Sequence, residues 1–194
     1  MRVDRPAQIL HRRQRLSGAV AIAGVVVFVA VLGYLHAVQF AYDPVHQFMS
    51  ELAFGVDGGT LVVAFLALAM SLMALANGLA SLGGRHVLPL LLVFSALCFA
   101  GAGLVPLGAS AVVQVSLVGL AFVAVGLAMY LLPSCVPSRS YSAIRWLSWG
   151  LLALLVACAG VDSANVPSGI SQRLAACVLL TWIVSFGGLL LRWR

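Results

Sequence analysis

The chain contains no lysine, only five acidic residues and only four cysteines among its 194 residues. Charged side chains make up 8% of it against 63% hydrophobic, too little charge to cover the surface of a water-soluble domain. The scarcity of cysteine is equally restrictive. Cys98, Cys158 and Cys177 fall inside apolar runs and Cys135 in a connecting segment, so no disulfide framework is expected. No spacing of the zinc-ligand kind occurs, and neither a metal nor another cofactor is expected. Eleven arginines give a formal net charge of +6, which at first sight suggests nucleic acid. Their distribution excludes that partner.

Six apolar runs, near 17–40, 58–82, 86–107, 109–132, 143–162 and 169–191, each approach or exceed what crosses a hydrocarbon layer of about 30 Å. A six-span layout puts Arg2, Arg5, Arg12, Arg13, Arg15, Arg85, Arg139, Arg145, Arg192 and Arg194 on one side and Arg173 alone on the other. Arginine sorted in this way marks the cytoplasmic face, so both termini are expected there. The domain reading is a cytoplasmic Arg-rich arm over 1–16, loosely ordered or lying on the surface, followed by one transmembrane domain over 17–194. The fold is expected to be all-α. The second run carries Ala67, Ser71, Ala74 and Gly78 at the small-residue spacing that lets helices approach, and Asn77 as an interhelical hydrogen-bonding group.

The most polar stretch is Tyr42–Gly55. Asp43 followed by Pro44 reads as a helix start, with a side-chain acceptor at the N-cap and a proline where no amide donor is needed. Val45, Phe48, Met49 and Leu52 recur at helical spacing, with His46, Gln47, Ser50 and Glu51 on the opposite face. These residues predict a short amphipathic helix along the membrane surface in the first outer loop. Just before it, His36, Gln39 and Asp43 share a helical face at the outer end of the first span. Gln114 begins the fourth span. Gln172 and Arg173 open the sixth, after Ser168 as N-cap. A guanidinium at a helix N-terminus opposes the helix dipole, so Arg173 is expected to need an acid, with Glu51 or Asp162 as candidates.

Ionisable groups are costly in hydrocarbon, so their crowding at the outer side predicts a pocket there, with His36, Gln39, Glu51, Asp162 and Arg173 around it. Three chemistries compete. His46 and Ser50, four residues apart, suit a base–nucleophile pair with Asp43 or Asp162 orienting the base. His36, His46 and an aspartate suit a divalent metal, although without any established ligand spacing. The third and favoured reading is structural: a Glu51–Arg173 ion pair pins the loop to the last span, and the histidines are satisfied polar residues.

Tyr42-x-Pro44 with Ser50-Glu51-Leu52, and much later Gly169-x-x-Gln172-Arg173-Leu174, resemble the bacterial family called domain of unknown function 998. The resemblance runs from about Gly18 to Arg192 and implies a six-span membrane protein. Relatives carry an acid after a Phe-Pro step following the third span, then histidines opening the fourth. Here that region reads Val105-Pro-Leu-Gly-Ala-Ser110, continuing to Gln114, with neither. The departure points away from catalysis.

The function expected from the sequence is an integral protein of the bacterial inner membrane with a polar outer-leaflet pocket for a lipid or other amphiphile, organised by Glu51 and Arg173. The alternatives are an intramembrane hydrolase of a lipid ester or amide, using His46, Ser50 and Asp43, and an accessory subunit of a membrane complex. The partners expected are membrane lipid and a membrane protein packed through the small-residue faces, not nucleic acid.

Overall fold

Helix α1 (Arg5–Val38) is 34 residues long and runs unbroken through the boundary at which a separate arm was expected. The computed structural model describes residues 5–81, 86–105, 110–135, 142–160 and 166–192. After α1 come two short 3₁₀ segments, Met49–Phe54 and Gly58–Thr60, and then α2 (Leu61–Ala80), α3 (Val87–Leu104), α4 (Ala111–Cys135), α5 (Ser142–Gly160) and α6 (Ser168–Arg192). The fold is an all-α membrane bundle, with no strand among the described residues. Among the described residues five helices are long and apolar enough to span a bilayer, and α5 adds the shorter apolar stretch Arg145–Cys158.

The helices close a ring in chain order, α6 returning onto α1, with α2 also touching α6. Small residues set the closest approaches. A Cβ at Gly24 of α1 would stand 2.5 Å from the Ala67 carbonyl oxygen of α2, and one at Gly78 would meet the Ser17 Cβ at 3.1 Å. Backbones this near are what small-residue faces permit in lipid, where no hydrophobic force separates helix from tail. Leu72, Leu75, Leu92, Phe99, Met129, Trp182 and Ile183 fill the centre and are fully buried. Polar groups among them pair across helices. Trp182 Nε1 donates to Ser148 Oγ at 3.1 Å, and Ser148 Oγ donates to the Met129 carbonyl at 2.9 Å, tying α6, α5 and α4 together. Val26, Val29, Met70, Leu90, Phe94, Leu97, Val123 and Val156 stay exposed around the rim. Hydrocarbon, not water, suits such a rim.

At the end that carries Arg12 and Arg13, the first turns of α1 are packed as part of the bundle. Arg13 Nε donates to Asn77 Oδ1 at 2.9 Å, and Asn77 Nδ2 donates to Ser17 Oγ at 2.9 Å. Asn77 is thus an interhelical hydrogen-bonding residue, as its type and position predict. The opposite end is closed by residues 39–60, called the strap below.

Candidate functional site

The strap holds its shape through side chains that satisfy its own carbonyls. Gln39, directly after α1, is buried and its Nε2 donates to the carbonyls of Leu52 at 2.9 Å and Val56 at 2.8 Å. Asp43 does cap a turn: its Oδ1 accepts from the Val45 amide at 2.8 Å, and its carbonyl accepts from the Gln47 amide at 2.9 Å. The turn does not grow into a helix. Phe48 is extended (φ −68°, ψ 149°), so the expected short helix starts five residues later, as the 3₁₀ segment Met49–Phe54. The Tyr42 hydroxyl closes over this break, 3.2 Å from the Gln47 carbonyl and 2.9 Å from that of Phe48, which also accepts from the Glu51 amide at 3.0 Å. Asp57 then takes a left-handed conformation (φ 56°), one that aspartate tolerates better than most residues, and its Oδ2 accepts from the Tyr34 hydroxyl at 2.5 Å.

Arg173 joins the strap to α6. One terminal nitrogen donates to the carbonyls of Gln47 at 3.2 Å and Gly169 at 2.9 Å; the other donates to the Tyr42 hydroxyl at 2.5 Å and lies 3.2 Å from His36 Nε2. The guanidinium carbon also sits 5.5 Å from the centroid of the Tyr42 ring. His36 Nδ1 is 2.7 Å from the Leu32 carbonyl, which can only accept. The ring proton therefore sits on Nδ1, and the Nε2 lone pair faces the guanidinium. Two neighbours complete the seam. Ser168 Oγ donates to the His46 carbonyl at 2.8 Å, and Gln172 Oε1 accepts from the Met49 amide at 2.7 Å. Gly169 lets the chains meet: a Cβ there would lie 2.6 Å from the carbonyl oxygens of Pro44 and Val45 and 2.7 Å from that of Gln47. Burial is the main reason the Tyr42 phenol is held above its ordinary 10.0; Arg173 acts in the opposite direction.

The expected Glu51–Arg173 ion pair is not formed. Glu51 turns back within the strap, where its Oε1 accepts from the Phe48 amide at 3.0 Å and closes the start of the 3₁₀ segment. Arg173 is surrounded by neutral acceptors instead. Among the described residues the one acid–base contact at salt-bridge distance is His46–Asp43, with 2.7 Å between Nδ1 and Oδ2 and both side chains more than half exposed. That contact draws the Asp43 carboxyl below its usual range, helped by the Val45 amide. It supplies one half of the hydrolase constellation considered from the sequence, an acid held against the base. His46 points to Asp43 at the surface, whereas Ser50 lines an internal cavity, and no hydrogen bond joins the two among the described residues. Both ring nitrogens of His36 have partners, and His36, His46 and an aspartate do not gather into one group among the described residues. The spacing of His36, Gln39 and Asp43 on one helical face fails because α1 ends at Val38. Asp162, the other acid considered for Arg173, lies outside the described residues.

Beneath the strap is a cavity of about 130 Å³, lined by Phe28, Leu32, Leu68, Phe99, Phe122 and Leu179 among others, with Phe48 and Met49 as its roof. Among the described residues its polar groups are Ser50, Gln114 and Gln172, none of them charged. A wider groove of about 580 Å³ runs along α4, α5 and α6 between Val118, Gly119, Val123, Leu152, Val156 and Ala175. Phe48, Val115, Val118, Phe122 and Gln172 belong to both walls.

A family model described as a protein of unknown function (DUF998) matches residues 22–188. The chain belongs to the DUF998 family. The match runs from α1 into α6, so the whole DUF998 strap, its Arg173 anchor and the cavity lie within it. No curated protein and no solved structure matches this DUF998 chain. The family description carries no reaction, and any function for this DUF998 member has to be argued from its geometry.

Sequence reasoning placed His36, Gln39 and Arg173 at the site but missed the roles of Tyr42, Gln172 and Gly169, although all three fall in the motifs that carry the family resemblance. Gly169 had a readable signal, a glycine in the first turn of a helix just before a buried-side arginine.

Proposed function

We propose that this DUF998 protein binds a lipid or another amphiphile in the outer leaflet of a bacterial inner membrane. The observation that carries the reading is the meeting of cavity and groove. A chain entering sideways between α4, α5 and α6 finds an apolar wall along its length and three uncharged polar groups under the strap. Pockets for small amphiphiles have this composition, mostly apolar with a few polar groups that fix orientation. The orientation follows from arginine: Arg12, Arg13 and Arg15 start α1 and Arg192 ends α6, all at the end remote from the strap, where the cytoplasm is expected. On this reading the strap is a fixed lid, and His46 and Ser50 have no shared chemistry.

Gly119 provides the test. A Cβ there meets nothing within 4 Å, so a bulky side chain enters the groove without displacing the backbone. Purified protein in nanodiscs is photolabelled with a diazirine-bearing long-chain lipid and the labelled peptides are mapped. Labelling should fall on the stretch after Ala111 of α4 and the first turns of α6, and Gly119→Trp should remove it while leaving the melting temperature within a few degrees of wild type. Labelling spread evenly over the lipid-facing rim, and untouched by Gly119→Trp, would refute the reading.

A further inference from the structure

The cavity under the strap says more about its occupant than that it is apolar, because one of its polar atoms lacks a partner. Gln114 is 3% exposed. Its Nε2 donates to the Ala102 carbonyl at 3.2 Å, while its Oε1 is buried with no hydrogen-bond partner among the described residues. Rotating the amide by half a turn does not help, since it would set Oε1 against the Ala102 oxygen. The amide is therefore fixed with an acceptor left over, in a side chain that lines the cavity. An orphaned buried acceptor is costly, and native proteins almost always satisfy such atoms.

What satisfies it has to donate. Gln172, on the same wall, has its Oε1 taken by the Met49 amide and so offers N–H groups to the cavity. Ser50 adds a hydroxyl. The strap end of the cavity thus presents one fixed acceptor beside donors, and among the described residues none that lines it bears a charge. The nearest guanidinium, that of Arg173, is turned onto Tyr42, His36 and two carbonyls. A phosphate or carboxylate placed here would lack a counter-charge and could not donate to Gln114. An ammonium would lack a counter-charge too.

We infer that the ligand is an uncharged, chain-like amphiphile whose buried polar group, a hydroxyl or an amide N–H, donates to Gln114 Oε1 while its chain lies along Val118, Phe122 and the α4–α6 groove. This rests on the amphiphile-binding reading above and narrows it to neutral hydrogen-bond donors. No bond is made or broken. A long-chain alcohol and a primary fatty amide are the two simplest carriers of that chemistry.

The experiment uses the full chain in nanodiscs and competition against a diazirine-bearing long-chain alcohol. The competitors are the unlabelled alcohol, the primary amide, the methyl ether and the fatty acid, all of one chain length. The alcohol or the amide should compete at least about tenfold better than the methyl ether, which keeps the oxygen and loses the donor, a ratio that corresponds to about 1.4 kcal/mol. Whichever of the two competes better identifies the head group. Gln114→Leu should bring alcohol and ether to equal strength, a change in ratio that general loosening of the bundle does not produce. If that variant does not fold, the wild-type ratio still decides. Equal competition by alcohol and ether in the wild type, or stronger competition by the fatty acid at neutral pH, overturns the inference while leaving amphiphile binding intact. Absence of groove labelling by any probe, with Gly119→Trp without effect, defeats both, and Gln114 then meets water only.

Discussion

Replacing Arg173 tests whether the strap is held by a guanidinium among neutral acceptors. Arg173→Met removes four hydrogen bonds, two of them short, to the Tyr42 hydroxyl at 2.5 Å and the Gly169 carbonyl at 2.9 Å. Hydrogen bonds from a charged donor are worth roughly 1.5–3 kcal/mol each. The two longer contacts, at 3.2 Å, add little. Because the side chain is half-buried and the freed strap carbonyls can recruit water, the short pair is discounted, giving a loss of about 3 kcal/mol. Arg173→Lys keeps the charge but gathers its donors on one nitrogen, which cannot reach the four acceptors at once; about half the loss remains. The assay is hydrogen exchange at the strap amides that depend on this geometry, those of Gln47, Met49 and Glu51, whose acceptors are Asp43, Gln172 and Phe48. A loss of about 3 kcal/mol corresponds to roughly a hundredfold faster exchange in Arg173→Met if these amides open together. Double-mutant cycles then apportion the effect. Arg173→Met with Tyr42→Phe should show coupling of about 0.5–3 kcal/mol, and Arg173→Met with Glu51→Gln should be additive to within roughly 0.5 kcal/mol. Exchange within threefold of wild type, or strong coupling to Glu51, would refute the reasoning.

Three further outcomes follow from the same geometry. Gly169→Ala pushes a Cβ against three strap carbonyl oxygens at 2.6–2.7 Å and should cost about 1–3 kcal/mol, read as a lowered melting temperature in detergent; an unchanged value would mean the strap is free to retreat. Gln39→Leu leaves the Leu52 and Val56 carbonyls without their donor and should cost about 2 kcal/mol, with fast exchange confined to the strap rather than spread over α2. The Asp43 carboxyl is depressed below its ordinary 3.8, first by His46 and then by the Val45 amide, so the order it lends to the turn is present above about pH 4 and is lost as pH falls through the lower folded value. A carboxyl-carbon titration should find its midpoint below 3.8 in the wild type and nearer 3.8 in His46→Ala, and identical midpoints would discount the contact.

The bundle was readable because lipid imposes simple conditions on sequence. Long apolar runs must satisfy their backbone within themselves, so Leu61–Ala80 and Val87–Leu104 are helical almost regardless of what they pack against. The packing of α1 on α2 was readable at Ala67, Ser71 and Gly78 for a similar reason, since only small side chains let two backbones close to this distance. Asn77 was legible as a polar group that has to find a partner. The first turns of α1 were not. Composition marks Arg12, Arg13 and Arg15 as cytoplasmic charge, but the contact of Arg13 with Asn77, which draws this segment into the bundle, spans 64 residues and has no local signature. The strap was misread in the same way. Its apolar residues do recur at helical spacing, and local pattern favoured a helix from Pro44. Glu51 takes the Phe48 amide that a helix from Pro44 would direct to the Pro44 carbonyl, and the break falls at Phe48 with the Tyr42 hydroxyl against the Gln47 and Phe48 carbonyls.

The unformed Glu51–Arg173 pair follows from the cost of charge in a poorly hydrated seam. Pairing the two would require both ions to be desolvated together, and the mutual attraction offsets that penalty only when every remaining donor and lone pair is also satisfied. The observed arrangement divides the task. Four neutral dipoles (two carbonyls, a phenol and the Nε2 of His36) solvate the guanidinium where it stands, while the carboxylate remains on the strap and takes an amide hydrogen. Neutral acceptors on the strap and at the end of α1 can be supplied only when the strap lies closed over α6, so the need to solvate one arginine is also what holds the lid over the cavity. A carboxylate partner on a flexible side chain could have followed Arg173 outward and allowed the strap to lift. Backbone carbonyls cannot. The roof residues Phe48 and Met49 are therefore fixed by Arg173 and Gln172, and any ligand that reaches Gln114 has to come from the side, along α4, rather than from above.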